Sequence, residues 1–306
     1  MTDRATMENE ATVASLITLK RPKGLTREQF DSYWANVHAP IMARMPGIWA
    51  YTLHHVEAVQ LPYWRLPLSI QRLAPEDYAL EGVAELLYLD QDEAMEAYRL
   101  SDGPGGYTHT DAQNAFWVGL FYQSNKGSRT LKDNTDGREP AETVLLAFQY
   151  KDSVERSQGH EWVRRFADRA AAAEESVRVR RHTFEPYDND ALDPGLPVGM
   201  RHTVFPDEAL DAVVEIAASD RSALSRVLDL LPVNEEDLQV LASAHAYRRR
   251  ERNDMVQGGQ ITRAGVRTPA VARLIDTLGA VSQDHPGLHD LMLTGIPADT
   301  TAASKR

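Results

Sequence analysis

His38 is the residue of this sequence that is best placed to exchange a proton with a bound molecule. It follows Trp34 by four residues and Phe30 by eight, so the three side chains lie on one face of a predicted helix. Pro40 has no backbone donor and disfavours helical geometry at the preceding residue, so we expect the helix to kink or end close to His38. His38 is therefore a candidate general acid–base catalyst. The alternative is that it caps carbonyl groups that Pro40 leaves unpaired.

Three further titratable side chains lie on predicted strands. Glu85 is in the middle of a predicted strand. If its carboxyl group faces a cavity, it is a candidate general acid or a candidate partner that orients a histidine. The alternative is a buried carboxylate paired with an arginine. His54 and His55 are adjacent on another strand and point to opposite sides of the sheet, so only one can face a cavity. All three are candidate catalytic residues beside His38.

A second group of residues is suited to hold a substrate. Trp34 offers an aromatic face to a flat molecule, although its spacing is equally typical of a core residue. Tyr33 and Tyr51 can donate hydrogen bonds to a developing oxyanion. Asp111 follows a glycine-rich loop, where a carboxylate either contacts substrate or serves as a turn or helix-capping residue. Trp117 completes the predicted substrate-binding set.

The composition excludes several classes of function. The 306 residues include 33 basic and 45 acidic side chains, and the net charge of -12 argues against a nucleic-acid partner. The absence of cysteine excludes disulfides, thiolate metal sites and a cysteine nucleophile. No stretch approaches about 18 consecutive apolar residues, so we expect no membrane-spanning helix and a cytoplasmic protein. No metal-ligating pattern is present, and neither a metal nor a cofactor is predicted.

The elements that must position these side chains follow a repeated order. The first half reads strand, helix, strand, strand, helix, strand, and its first helix begins at a capping box formed by Thr26 and Gln29. The second half repeats that order, and a shift of 130 residues places Glu85 on Glu215. The predicted strands are 13–20, 50–56, 82–89, 116–123, 144–151, 177–184, 210–218 and 245–255.

This order predicts an α+β chain of two ferredoxin-like repeats that pack sheet to sheet, with a ligand cavity between the sheets. The tail is expected to be disordered from about Ala298. The predicted organisation is a disordered N-terminus (1–12), a first repeat (13–123), a linker (124–142), a degenerate second repeat (143–260) and a C-terminal helical extension with a tail (261–306).

Residues 13–123 resemble the EthD family of dimeric α/β-barrel proteins. The resemblance centres on a W-x3-H-x-P core that contains Trp34, His38 and Pro40. The second half is similar only in pattern, because a shift of 128 residues places Phe166 opposite His38. Further matching segments are 19–26 (LKRPKGLT), 46–47 (PG), 51 with 54–55, 81–85 (EGVAE), and 111 with 116.

The resemblance implies a barrel with a pocket for a small, often aromatic or polyketide-like molecule. Members of the family and its relatives include dehydratases, decarboxylases and cyclases that work without a cofactor, and also accessory proteins of degradation pathways. We therefore expect a cofactor-independent lyase that acts on a small hydrophobic oxygenated molecule, with His38 as the acid–base in the barrel cavity. The alternatives are a non-catalytic small-molecule-binding protein and a haem-handling barrel. A homodimer is a possible assembly.

Overall fold

A computed structural model describes residues 3–59, 61, 64–67, 69–72, 74–101, 103, 105–135, 139–190, 196, 199–231 and 237–294. The predicted disordered tail from about Ala298 lies outside these residues. The chain is α+β, and two ferredoxin-like repeats form one intrachain α/β-barrel, as predicted. Within the described residues, no helix is both long and apolar enough to span a membrane.

The first repeat is a four-stranded antiparallel sheet in the order β4-β1-β3-β2, which is the ferredoxin-like arrangement. A short helix precedes it, and its remaining helices cover one face of the sheet. The elements are α1 (Arg4–Glu10), β1 (Val13–Lys20), α2 (Arg27–Tyr33), α3 (Ala39–Met42), β2 (Ala50–Val59), β3 (Gly82–Tyr88), α4 (Gln91–Ser101), α5 (His109–Ala115) and β4 (Val118–Asn125).

The second repeat has the same topology, in the order β9-β6-β8-β7. An extra strand, β5, pairs with β7 at the edge of the sheet. The elements are β5 (Arg129–Asp133), β6 (Glu142–Tyr150), α6 (Arg156–Ala172), β7 (Ser176–Thr183), β8 (Ala212–Ala218), α7 (Arg221–Asp229), β9 (Leu241–Gln257), β10 (Gln260–Ile261), α8 (Arg263–Arg267), α9 (Pro269–Leu278) and α10 (Pro286–Thr294).

Two seams join the repeats into a barrel. At the first, β2 pairs antiparallel with β9, so all the strands belong to one ten-stranded sheet. At the second, the end of β4 meets the chain that leaves β7, where the Glu185 amide donates to the Gln123 carbonyl at 2.8 Å and the Thr183 amide donates to the Gly127 carbonyl at 3.3 Å. The sheet therefore curls until its two ends touch.

The space between the two sheets is filled by side chains. Apolar residues from both repeats, among them Leu16, Val83, Leu145 and Val213, form one buried cluster there. The void beside this cluster has a volume of only about 10 Å³, which is close to the minimum for one water molecule. The prediction of a ligand cavity between the sheets is therefore wrong for the described residues, because strand residues from both halves interdigitate in that space.

The rest of the barrel interior holds a cluster of buried charges. Arg178 and Arg180 on β7 are fully buried. Arg180 Nε donates to Glu85 Oε1 at 2.7 Å, and Arg178 Nε donates to Glu215 Oε1 at 3.1 Å. Burial raises the pKa of Glu85, but the Arg180 guanidinium and His54 outweigh it and hold this pKa well below its ordinary value. Charges in such a site are tolerated only when they are paired, so each buried arginine needs carboxylates from neighbouring elements.

The N-terminal helix supplies one of those neighbours. Residues 1–12 were expected to be disordered, but α1 forms from Arg4 and inserts Glu8 into the cluster. Both Glu8 carboxylate oxygens accept from Arg178 Nη2 at 2.9 Å. The expected linker at 124–142 is also partly ordered, because it contains β5. Short polar elements of this kind have no hydrophobic periodicity, so the sequence pattern does not reveal them.

Replacing Glu8 is expected to destabilise the whole barrel. A Glu8→Gln substitution removes a charge that pairs with two buried arginines, and breaking a buried ion pair costs about 3–5 kcal/mol. The free energy of unfolding, measured by urea denaturation, is expected to fall by that amount. Glu10→Gln on the same helix is the matched control, because Glu10 is exposed. Equal unfolding curves for the two variants would contradict a structural role for Glu8.

His182 is expected to make stability depend on pH. Burial lowers the pKa of His182 from 6.5 to about 3, so the ring stays neutral in the folded chain while an unfolded chain would bind a proton below pH 6.5. The unfolded state therefore gains protons first, and stability falls by up to about 1.4 kcal/mol per pH unit as the pH drops below 6.5. Urea unfolding between about pH 7 and about pH 5 measures this slope. His182→Asn should reduce it, and His285→Asn, at an exposed position, should leave it unchanged.

Candidate functional site

The helix that carries His38 contains a wide turn at the predicted break. It begins at the capping box, in which the Gln29 amide donates to Thr26 Oγ1 at 3.1 Å, as predicted. After α2 the chain forms a π-helical turn over Trp34–His38, closed by the Ala39 amide donating to the Trp34 carbonyl, and then continues as α3. Pro40 is accommodated by this wider turn, a form that is often found at functional sites.

His38 takes part in a hydrogen-bonded triad rather than capping a carbonyl. Its Nδ1 lies 2.9 Å from Asp111 Oδ2, and the Tyr33 hydroxyl donates to Asp111 Oδ1 at 2.6 Å. The bonds from His38 and Tyr33 outweigh partial burial and lower the pKa of Asp111, so this carboxyl is ionised. An ionised carboxylate only accepts hydrogen bonds, so Nδ1 carries the hydrogen, and in the neutral ring Nε2 is the nitrogen with the free lone pair.

Two helices and a strand fix the orientation of the histidine ring. Asp111 is on α5, and Phe116 follows that helix, with its ring 5.0 Å from the His38 ring at an interplanar angle of 90°. Trp34 is fully buried one turn before His38. A Cβ atom at Gly82 would lie 2.5 Å from the Trp34 ring, so glycine at this position lets the indole pack against β3. His38 itself is only 6% exposed.

His38 lines the closed end of a pocket between the first sheet and its helices. This end encloses a volume of about 30 Å³ and has mostly apolar walls. Its lining residues are Ile17, Leu19, Trp34, His38, Met42, Tyr51, Ala84, Leu86, Ala112, Phe116, Phe121, Met200 and His202.

A larger groove adjoins the closed end. It has a volume of about 340 Å³ and is bordered by α4 residues such as Met95 and Tyr98. The two spaces share Ile17, Met42, Leu86 and Phe121 as walls. The groove falls within the range of about 300–1,000 Å³ that small-molecule sites occupy, and it lies next to the end that His38 lines.

Several of the predicted site residues meet in this pocket. His38, Trp34 and Tyr51 line it directly. Asp111 and Tyr33 lie behind His38 and hold its ring. Desolvation and the bond to Asp111 raise the pKa of Tyr33, and its hydroxyl hydrogen is already donated to that carboxylate. Tyr33 therefore positions His38 through Asp111, in place of the predicted bond to an oxyanion.

Glu85 and His54 lie on the opposite face of the sheet from His38. Both point into the barrel interior, where His54 Nε2 is 3.4 Å from Glu85 Oε2. The predicted acid role of Glu85 does not fit this structure, because its carboxyl is ionised and paired with Arg180. The structure agrees instead with the alternative prediction for Glu85, a buried carboxylate paired with an arginine. Strand alternation places both residues on the wrong side of the sheet.

His55 and Trp117 also lie outside the pocket lining. His55 is on the helix side of the sheet, but its Nδ1 is 2.8 Å from Asp31 Oδ1 and its ring lies 4.6 Å from the Trp34 ring. Trp34 thus stands between His55 and the pocket. The Trp117 side chain is 52% exposed, so it faces solvent. Among the described residues, no group of three or more acidic or histidine side chains is arranged to hold a metal ion.

The pocket residues that come from the second repeat are not among those predicted from the sequence. Met200 and His202 lie in the connection between β7 and β8 and reach across to the first sheet. The Arg201 amide donates to the Trp117 carbonyl at 2.8 Å, which docks this connection on β4. The connection has no periodic pattern, so nothing in the sequence predicts its path. Phe121 could have been found, because strand alternation places it on the helix side of β4.

The equivalent space in the second repeat is filled. Phe166 replaces the histidine there, and Trp64, from the connection between β2 and β3, packs 6.4 Å from its ring. Phe148 lies 5.3 Å from Phe166, and all three rings belong to one buried cluster. The two repeats therefore exchange connections, and the first repeat keeps the pocket.

One comparison with known proteins agrees with the family resemblance. Residues 22–103 match the family model of the EthD domain. No curated protein is significantly similar to the chain. A candidate monooxygenase from Fusobacterium nucleatum subsp. nucleatum superposes with a TM-score of 0.48 and 6% identity, over 82% of this chain and 97% of that one. A mutant chlorite dismutase from Candidatus Nitrospira defluvii superposes with a TM-score of 0.39 and 9% identity, over 82% of this chain and 96% of that one. The fold assignment rests on the strand order itself.

The tautomer of His38 is expected to depend on Asp111. Nitrogen-15 NMR of the neutral His38 ring should show Nδ1 protonated and Nε2 unprotonated in the wild type, because the carboxylate accepts from Nδ1. Asp111→Asn should produce a mixture of the two tautomers, since an amide can donate as well as accept. Asp31→Asn is the control, because it acts on His55 instead. An unchanged His38 spectrum in Asp111→Asn would show that Asp111 does not set the tautomer.

Proposed function

From the match of residues 22–103 to the EthD domain model, we propose that the protein is a cofactor-independent lyase. It would remove water or a carboxyl group from a small, hydrophobic, oxygenated aromatic molecule. The observation that carries this proposal is the histidine at the closed end of an apolar pocket, whose Nδ1 is bonded to an ionised carboxylate. A histidine held in this way presents a basic nitrogen to a bound molecule.

The loss of water illustrates the proposed chemistry. His38 Nε2 takes a proton from the carbon next to a carbonyl group, and the electrons of that C–H bond form a C=C bond as the neighbouring C–O bond breaks. The departing hydroxide takes the proton back from His38 and leaves as water. No electrons are gained or lost overall. Asp111 stabilises the imidazolium that exists between the two transfers, as a buried carboxylate does in other histidine dyads.

The walls of the pocket favour a flat, apolar substrate. Trp34, Phe116 and Phe121 present aromatic surfaces, and Met42 and Leu86 complete an apolar lining at the closed end. The burial of His38 lowers the effective dielectric constant around its ring and strengthens its interaction with the half-buried Asp111. The α4 side of the groove leaves room for the remainder of a larger ring system.

The alternative roles use the same pocket in different ways. A haem group would need a slot wide enough for a porphyrin beside its axial histidine. The closed end next to His38 holds only about 30 Å³ in this structure, so a porphyrin on His38 would have to occupy the adjoining groove as well. A non-catalytic binding protein would use the apolar walls without proton transfer, and turnover distinguishes it from a lyase.

The proposed reaction can be tested with 3-hydroxy-1-tetralone, which gives 1-naphthol after loss of water. We expect the wild type to form 1-naphthol, followed by its fluorescence, and His38→Asn to lower kcat/KM by about 100-fold or more. Asparagine keeps a donor for Asp111 but lacks the basic nitrogen, so the fold should be retained. His55→Asn is the matched control, because it alters a buried histidine outside the pocket and should leave turnover near that of the wild type.

Two results would decide against this proposal. A folded His38→Asn variant with full turnover would remove His38 from the mechanism. A wild-type protein that binds 1-naphthol but does not convert 3-hydroxy-1-tetralone would favour the non-catalytic role.

A further inference from the structure

We infer that His202 forms a hydroxyl-binding subsite in the pocket of the first repeat, so that the ligand carries an O–H group that donates to this residue. The inference rests on the proposed function in one respect, namely that a small molecule occupies this pocket. His202 belongs to the second repeat and lies outside the matched EthD residues 22–103.

The backbone around His202 is fixed on the edge of the first sheet. The Gly119 amide donates to the Arg201 carbonyl at 3.1 Å, and the Arg201 amide donates to the Trp117 carbonyl at 2.8 Å. A Cβ atom at position 119 would lie 2.8 Å from the Met200 methyl group, so glycine there permits this close approach. The connection from the second repeat is thus held against the first sheet and forms one wall of the pocket.

One ring nitrogen of His202 is already committed. Its Nδ1 lies 2.9 Å from the carbonyl oxygen of Gly119. A carbonyl oxygen can only accept, so Nδ1 is the nitrogen that carries the hydrogen. In the neutral ring Nε2 is then a hydrogen-bond acceptor that needs a donor.

The other nitrogen is buried without a partner. His202 is 8% exposed, and its Nε2 has no hydrogen-bond partner among the described residues although the side chain lines the pocket. A buried polar atom left unpaired costs about 1–3 kcal/mol, and most such atoms in folded proteins are paired. The pocket walls around it are mainly apolar, so a ligand hydroxyl is well suited to supply the missing donor.

This geometry defines the kind of ligand that fits. An acceptor at Nε2 favours a phenol or an enol, whose oxygen carries a hydrogen, over a ketone or a methyl ether, whose oxygen does not. The Phe121 ring lies 6.2 Å from the His202 ring at an interplanar angle of 37°, so an aromatic wall lies beside the acceptor. A hydroxylated aromatic ring would satisfy both features.

The test compares 1-naphthol with 1-methoxynaphthalene by isothermal titration calorimetry. The wild type should bind 1-naphthol about tenfold more tightly, the value of one hydrogen bond, and His202→Asn should reduce this preference to near one. Asparagine can still donate to Gly119 but has no acceptor at the position of Nε2. His202→Gln, whose amide oxygen reaches that position, should restore part of the preference.

Further outcomes keep this inference separate from the proposed reaction. A preference that is the same in the wild type and His202→Asn would overturn the inference while leaving the pocket and the lyase proposal intact. A preference lost in His202→Asn would support it even if 3-hydroxy-1-tetralone is not converted. Failure of the wild type to bind either probe would overturn both. If His202→Asn does not fold, the nitrogen-15 shift of His202 Nε2 in the wild type should move with 1-naphthol alone, and an equal response to both probes would refute the subsite.

Discussion

The packing of the two sheets depends on the buried arginines between them. Arg178 and Arg180 have no exposed surface, and each must be surrounded by carboxylates from several elements. Those carboxylates come from both repeats and from the N-terminal helix, so the charge cluster fixes the arrangement of all three. Because this cluster and the apolar residues beside it fill the barrel interior, the pocket that His38 lines lies on the outer face of the first sheet, beneath its helices.

The two outer faces have become different although the repeats share one topology. In the second repeat, Phe166 and Trp64 fill the space that a ligand would occupy. In the first repeat, His38 and Asp111 form a polar pair at the end of an otherwise apolar pocket. Each face is covered partly by a connection from the other repeat, so the pocket is a product of the whole chain even though the family match covers only residues 22–103.

Much of the fold could be predicted because it follows local patterns. Strand order, the capping box at Thr26 and the helix break near Pro40 all leave marks in nearby residues. The site was harder to predict from the sequence. Strand alternation shows that His54 and His55 face opposite sides of the sheet, but it does not show which side has the pocket. Contacts between distant residues, such as Glu8 with Arg178 or His202 with Gly119, leave no local trace.

The exchanged connections have an evolutionary consequence. Among the described residues, the second repeat has no equivalent of the His38–Asp111 pair, yet its β7–β8 connection forms part of the wall of the first repeat's pocket. Mutations in that connection would therefore alter a pocket that belongs to the other half. Neither half could then diverge, be lost or be transferred to another gene without changing this pocket.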